Sequence, residues 1–337
     1  MLSKTAYAKP ALAKATLKKA QASFGLSTPD LISIRDLAPS EIEGILELTG
    51  MVKKHRREFS RTLEGKHIVL MFEKPSLRTR ITFEVAMKAL GGDATFVDQQ
   101  EARIDARESL ADIAHNLERW VDGIVLRTFE HKTVCEMAEH ASVPVVNALS
   151  DWEHPCQALA DFFTLKDHFG DLRKVKLAYV GDGNNVAHSL LLTAAATGSA
   201  ITVACPAGYE PAAEVIQAAY DLANETGARI EIVDDPTAAV AEAEAVYTDV
   251  WTSMGQESEG EERRGVFLPY QVNSKLMSCA KPGALFMHCL PAHRGEEVVD
   301  QVIDSEQSIV FDQAENRLHV QKSILMLLLG NSWSANA

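Results

Sequence analysis

Residues 67–80 read HIVLMFEKPSLRTR, and the fold follows from how that stretch changes character halfway along. His67–Phe72 is almost continuously apolar, the pattern of a strand buried on both faces. Pro75 and Ser76 then punctuate the chain, and residues 77–90 continue at helical spacing, with the serine placed as an N-cap. The same strand-then-helix change recurs to both sides. Further strand-like runs are 94–97, 123–126, 144–147, 176–180, 200–204, 229–233, 245–248 and 284–287. Helical patterns cover 40–59, 77–90, 109–120, 155–168, 185–197 and 212–225. Ser40 followed by Glu43 gives a capping-box signal for the first of these. Repeated β-then-α order calls for parallel sheets with helices on both faces, the α/β class.

The chain has 337 residues, enough for two domains of ordinary size. A short polar connection, GDLRK at 170–174, is the natural break. The expectation is two doubly wound parallel-sheet domains, 27–170 and 171–314, with the C-terminal helix 315–330 packing back on the first. Residues 1–26 stand apart as a basic extension, with five lysines and no Asp or Glu. Such a start reads as a solvated or helical tail, or as an organellar transit peptide, although arginine is missing from it.

Thirty-three Lys and Arg stand against 47 Asp and Glu, a formal charge of −14. That excludes a general nucleic-acid-binding surface but leaves room for a small-anion pocket lined by a few arginines. Five cysteines without a CxxC pair (Cys135, Cys156, Cys205, Cys279 and Cys289) indicate free thiols in a reducing compartment, hence the cytoplasm, or an organelle matrix if the extension is a transit peptide. The longest apolar run, 324–329, is too short to span a membrane.

In open parallel sheets ligands bind beyond the carboxyl ends of the strands, so the turns after each strand carry the chemistry. After the first strand comes KPSLRTR at 74–80, where Ser76, Arg78, Thr79 and Arg80 surround a helix start. Free N–H groups and guanidinium forks there suit a phosphate, the bland alternative being a serine cap on a solvated basic turn. Arg127 ends the strand 123–126. His154 and Gln157 lie three apart where a helix begins after Asp151, spaced to face one carbonyl or simply to cap the helix. Gly181-Asp182-Gly183-Asn184-Asn185 resembles a dinucleotide fingerprint without its third glycine. Asp249 ends a strand and leads through Ser253 and Met254 into the charged run 255–265, read as a mobile lid or a solvated loop. His288, Cys289 and His293 lack a convincing fourth ligand, so no metal is expected. Glu315, Asn316 and Arg317 open the final apolar helix.

The blocks 72–80, 151–157, 249–255 and 288–295 resemble the signature segments of the ornithine carbamoyltransferase family, in the same order and spacing. The resemblance extends from Leu31 to Leu329. It implies transfer of the carbamoyl group of carbamoyl phosphate to the side-chain amine of L-ornithine, giving L-citrulline and phosphate without a cofactor. It also implies that Ser76, Leu77, Arg78 and Thr79 hold phosphate, that Arg127 bridges phosphate and carbonyl, and that His154 and Gln157 orient the carbamoyl group. Cys289, Leu290 and Arg317 complete that pocket, and Asn185, Asp249, Ser253 and Met254 bind ornithine. Many members carry Thr where Leu77 stands. The loop 99–107 corresponds to one that reaches the neighbouring subunit, with Arg103 aligned to its phosphate contact, which implies a homotrimer or a multiple of it. Three other readings stay open: a putrescine- or acylornithine-using relative, a nicotinamide-dependent oxidoreductase, and a silent binding protein of the same fold.

Overall fold

The computed structural model describes residues 25–98, 108–252 and 257–330. The basic extension up to residue 24, the loop 99–107 with Arg103, and Ser253 and Met254 fall outside the described residues. Contacts along the chain divide it into two compact units, Met1–Asp151 with Arg317–Ala337, and Trp152–Asn316.

In the first unit β1 (His67–Phe72), β2 (Asp93–Val97), β3 (Gly123–Arg127) and β4 (Val145–Leu149) form a parallel sheet in the order β2-β1-β3-β4. The interior residues of β1 and β3 are buried, as their unbroken apolar runs require. Phe72 pairs with Arg127, so β1 and β3 end side by side. Because strand order reverses between β1 and β3, their two carboxyl ends border the crevice of this sheet. The helices are α1 (Pro39–Lys54), α2 (Leu77–Leu90), α3 (Leu110–Leu117) and α4 (His131–His140).

In the second unit β5 (Lys176–Val180), β6 (Ala200–Ala204), β7 (Arg229–Val233), β8 (Ala245–Thr248) and β9 (Leu285–His288) form a parallel sheet in the order β7-β6-β5-β8-β9. The reversal lies between β5 and β8. The helices are α5 (Pro155–Phe169), α6 (Asn185–Thr197), α7 (Ala213–Thr226), α8 (Pro236–Val240), α9 (Gly260–Phe267), α10 (Ser274–Met277), α11 (Asp300–Ile303) and the start of α12 (Val310–Leu329). The turn after β5 is held against the 209–211 segment by a hydrogen bond from Gly183 N to Tyr209 O. A Cβ at Gly183 would stand 2.3 Å from Pro211 N, so only glycine fits there.

Several elements differ from the sequence reading. The 40–59 pattern ends as helix at Lys54, because Phe59 and Leu63 are buried by turns whose Leu63 N–H reaches the Leu90 carbonyl. No box forms between Ser40 and Glu43. Pro39 takes the first helical position, and the Glu41 carboxylate accepts from the Ala38 N–H at 2.7 Å. From Gly260 on, the charged run is α9, where Phe267 and Arg263 supply a buried face. The last helix starts at Val310, so Glu315, Asn316 and Arg317 lie within it rather than opening it. No helix among the described residues is long and apolar enough to cross a membrane.

Candidate active site

In the first unit, Ser76 is the N-cap of α2, its Oγ accepting from Thr79 N at 3.3 Å. The capping alternative is therefore realised, and it is compatible with anion binding. The N–H groups of a first helical turn point out of the helix along its positive end, toward whatever occupies the space after β1. Thr79 is buried and its hydroxyl accepts from Arg317 Nη2 at 2.6 Å, which brings a residue 238 positions away to the same helix start. Arg127 is buried at the end of β3, where its backbone carbonyl takes the Glu73 N–H at 2.8 Å. Arg78, Thr79, Arg127 and Arg317 thus share one end of one unit.

Arg80 does not join them. It forms an ion pair with Glu84 at 2.9 Å and lies 3.9 Å over the Phe96 ring, so only one of the two arginines of the motif serves the helix start. Leu77 is 76% exposed, so its side chain adds nothing to a pocket in this unit.

In the second unit, His154 is the N-cap of α5, and its backbone N–H donates to Ser189 Oγ at 2.9 Å. Gln157, one turn on, is buried. Its Nε2 donates to Asp161 at 2.8 Å, while its Oε1 is buried without a hydrogen-bond partner. Asp161 is a hub that the sequence reading missed. It also accepts from Gln313 Nε2 at 2.7 Å and from Tyr247 Oη at 3.1 Å, tying α5, α12 and β8 together around one buried carboxylate. A carboxylate without solvent is tolerable only when donors satisfy it this fully.

Asp249 follows β8 and is buried. It accepts from Asn184 Nδ2 at 2.9 Å through one oxygen and from the Cys289 thiol at 2.9 Å through the other. Burial pushes the Cys289 thiol well above its ordinary range, and the Asp249 charge adds to the shift. The thiol is therefore held as a proton donor, not as a thiolate. Burial likewise raises the Tyr179 and Tyr247 hydroxyls. Asn184 is the second residue overlooked. Its Oδ1 caps α6 by accepting from Val186 N and Ala187 N, while its amide holds Asp249, so the neighbour of the expected Asn185 makes the contact. An asparagine between a glycine turn and a helix was the available signal.

Leu290, at φ 58°, donates its N–H to His288 Nδ1 at 2.9 Å, and His288 Nε2 meets the buried Glu297 carboxylate at 3.1 Å. Donor atoms of Asp249, His288 and Cys289 lie within 4.8 Å of one another, as do those of His293, Glu296 and Glu297. In the first set both imidazole nitrogens are already engaged by Leu290 and Glu297, so a metal would have to displace bonds that shape the turn. Near β5, the residues on the glycine turn are committed to Asp249, α6 and Tyr209, and this turn does not offer a dinucleotide fingerprint.

Two family profiles match the chain. One, described as the carbamoyl-P binding domain of aspartate/ornithine carbamoyltransferase, covers residues 29–167, and the other, the Asp/Orn binding domain of the same, covers 173–328. The chain is 52% identical over 303 residues to the ornithine carbamoyltransferase of Pyrococcus abyssi, across 89% of this chain and 96% of that one. It is 51% identical over 307 residues to the anabolic ornithine carbamoyltransferase of Pyrococcus furiosus, across 90% and 98%. The solved structure of ornithine carbamoyltransferase from P. furiosus superposes with a TM-score of 0.89 at 50% identity, covering 91% of this chain and 99% of that one. That from Thermus thermophilus gives 0.81 at 46% identity, covering 90% and 99%.

Proposed function

The chain belongs to the aspartate/ornithine carbamoyltransferase family, and on that footing we propose which of its residues carry the reaction. The activity is transfer of the carbamoyl group of carbamoyl phosphate to the side-chain amine of L-ornithine, giving L-citrulline and phosphate, a step of arginine metabolism. The observation that favours an amine as acceptor in this chain is the Asp249–Cys289 pair after β8 and β9, an anion beside a thiol that keeps its proton.

Ser76, Leu77 (through its backbone), Arg78 and Thr79 take the phosphate, with Arg103 as the loop contact and Arg317 braced by Thr79. Arg127 is assigned to the phosphate and carbonyl, His154 and Gln157 to orienting the carbamoyl group, and Cys289 and Leu290 to contacts with the same group. Asn185, Asp249, Ser253 and Met254 bind ornithine. When the amine nitrogen attacks, its bond to the carbonyl carbon forms and the carbon–oxygen bond to phosphate breaks, the electron pair leaving with phosphate, which takes up the proton that the nitrogen sheds. Charge grows on the carbonyl oxygen and on the leaving group. Fixed cationic donors stabilise it best where they need not reorganise. Holding two substrates in line supplies up to roughly 7–11 kcal/mol of the barrier. Ornithine arrives as an ammonium and must lose a proton before it can attack. Asp249 orients that nitrogen and accepts a hydrogen bond from it, while the Cys289 thiol fixes the carboxylate by donating to it.

A homotrimer, or a multiple of it, is the proposed assembly. Leu77, Ile81 and Val85 form a stripe at four-residue spacing on α2, at 76%, 45% and 43% exposure, an apolar face of the kind that subunits bury. Light scattering reads the mass directly, and a monomer would refute this assembly. The cytoplasm is the proposed compartment, favoured by five free thiols; cell fractionation that found the protein in an organelle matrix would replace it.

Formation of the ureido product from carbamoyl phosphate is the test, with ornithine (giving citrulline), putrescine, N-acetylornithine and aspartate in parallel. Turnover with ornithine alone is expected. Turnover with another amine instead would keep the carbamoyl half of the assignment and overturn the Asp249 half.

A further inference from the structure

Arg263 is 4% exposed, sits in the middle of α9, and was invisible in a run that read as a solvated loop. Its guanidinium reaches three elements. Nε donates to the Trp251 carbonyl at 2.6 Å, Nη2 pairs with the Asp182 carboxylate at 2.5 Å, and Nη1 lies 3.6 Å from Glu259. The rings of Tyr209 and Phe267 lie 4.9 Å and 5.2 Å from its central carbon. Burying a cation this deeply is costly unless each contact is kept, and only a planar fork can serve three acceptors in different directions.

We propose that Arg263 is a positioning residue for the ornithine half of the site. Trp251 lies two residues after Asp249, so the guanidinium bonded to its carbonyl holds the chain that leaves β8 past that carboxylate. Asp182 lies in the turn after β5, two residues before Asn184, whose amide holds Asp249. Tyr179 Oη ties the turn together, donating to the Asp182 carbonyl at 2.8 Å. Arg263 also offsets repulsion between the Asp182 and Asp249 carboxylates, which act on each other across the turn. One cation therefore holds the turn after β5 and, through Asn184, the Asp249 carboxylate assigned to the amine. This inference rests on the assignment of Asp249 to ornithine.

The test is steady-state citrulline formation by Arg263→Ala and Arg263→Lys, varying each substrate in turn, with circular dichroism and thermal melts to confirm folding. Because small misplacements of substrate-holding groups cost up to about 100-fold, Arg263→Ala is expected to lose about 10- to 100-fold in kcat/KM for ornithine. The carbamoyl phosphate KM and the affinity for inorganic phosphate should stay within about twofold, since a residue confined to one substrate's binding moves only that substrate's constants. Arg263→Lys, which keeps the charge without the fork, should fall between. Should Arg263→Ala not fold, Arg263→Lys and Asp182→Asn carry the same expectation at smaller amplitude. An ornithine KM unchanged in a folded variant, or equal losses for both substrates, would overturn the positioning role. A wild-type chain that makes no citrulline from ornithine would instead remove the functional assignment beneath it.

Discussion

At the carboxyl ends of its strands the first unit presents Arg78, Arg127 and, braced against Thr79, Arg317, whereas the second presents Asp249, Asp182 and a thiol that keeps its proton. Both sheets are parallel, and both put these residues beside the pair of strands where the order reverses. The difference lies in what fills the turns. The basic turn begins a helix at once, so N–H dipoles and guanidinium groups reinforce each other. In the other unit, glycine, asparagine and carboxylate are folded into a turn packed so tightly that Gly183 has no space for a Cβ. The same architecture thus presents one strand end rich in cationic groups, proposed for phosphate, and another rich in carboxylates, proposed for the amine.

Replacing Arg78 should break that contrast most severely. Arg78→Ala removes a charge from the phosphate side, and turnover should fall about 1,000-fold or more. Calorimetry with inorganic phosphate would show binding lost as well, and retained phosphate affinity would take Arg78 out of the cradle. On the other side, Asp249→Asn should cost about 100-fold in kcat/KM for ornithine with phosphate affinity kept. Cys289→Ala should cost less, about tenfold, because the carboxylate stays while its donor goes. Parallel loss of both affinities in either variant would show that the division of labour is wrong.

A subtler probe is proton uptake. Burial lifts the Asp182 carboxyl from 3.8 to about 6 despite Arg263 beside it. The folded protein therefore binds this proton more tightly than the unfolded chain does. Asp182 adds stability below about pH 6, and that contribution is lost as the pH rises through 6. Asp182→Asn should remove it, so the melting temperature of the wild type relative to the variant should rise by about 2–4 °C between pH 7.5 and pH 5. A flat difference would show that Asp182 is as solvated as an ordinary surface acid. Smallest of all, Leu77→Thr should leave kcat and KM within about twofold, since the substitution keeps the backbone N–H assigned to phosphate and Thr still fits the first turn of a helix. A larger change would mean that the side chain, and not only the backbone N–H, meets phosphate.

The sheets were legible because buried parallel strands are continuous apolar runs, and β1, β5, β6, β7 and β8 have the boundaries that those runs suggest. The strand-end residues followed from topology alone, and the resemblance then gave them roles. What was not legible depends on contacts distant in sequence. Arg317 touches Thr79, Gln313 touches Asp161, and neither pairing leaves a local pattern. α9 was hidden because its single buried cation looks, one residue at a time, like the exposed charges around it. α4 and the short helices α8, α10 and α11 were missed because amphipathic segments of four to ten residues carry too little periodicity to separate from turns.

The shielded thiol also has a consequence for handling the protein. Alkylating reagents and peroxides attack thiolates, and Cys289, whose proton is held by burial and by Asp249, offers almost none at neutral pH. Cys156 and Cys205 are buried, with the Cys205 thiol pushed to about 12, whereas Cys135 on α4 and Cys279 beyond α10 lie exposed. A maleimide dye or a mild oxidant should therefore reach Cys279 long before Cys289. The protein can be tagged at the two outer cysteines, Cys135 and Cys279, or stored in air, with the cysteine beside Asp249 left intact.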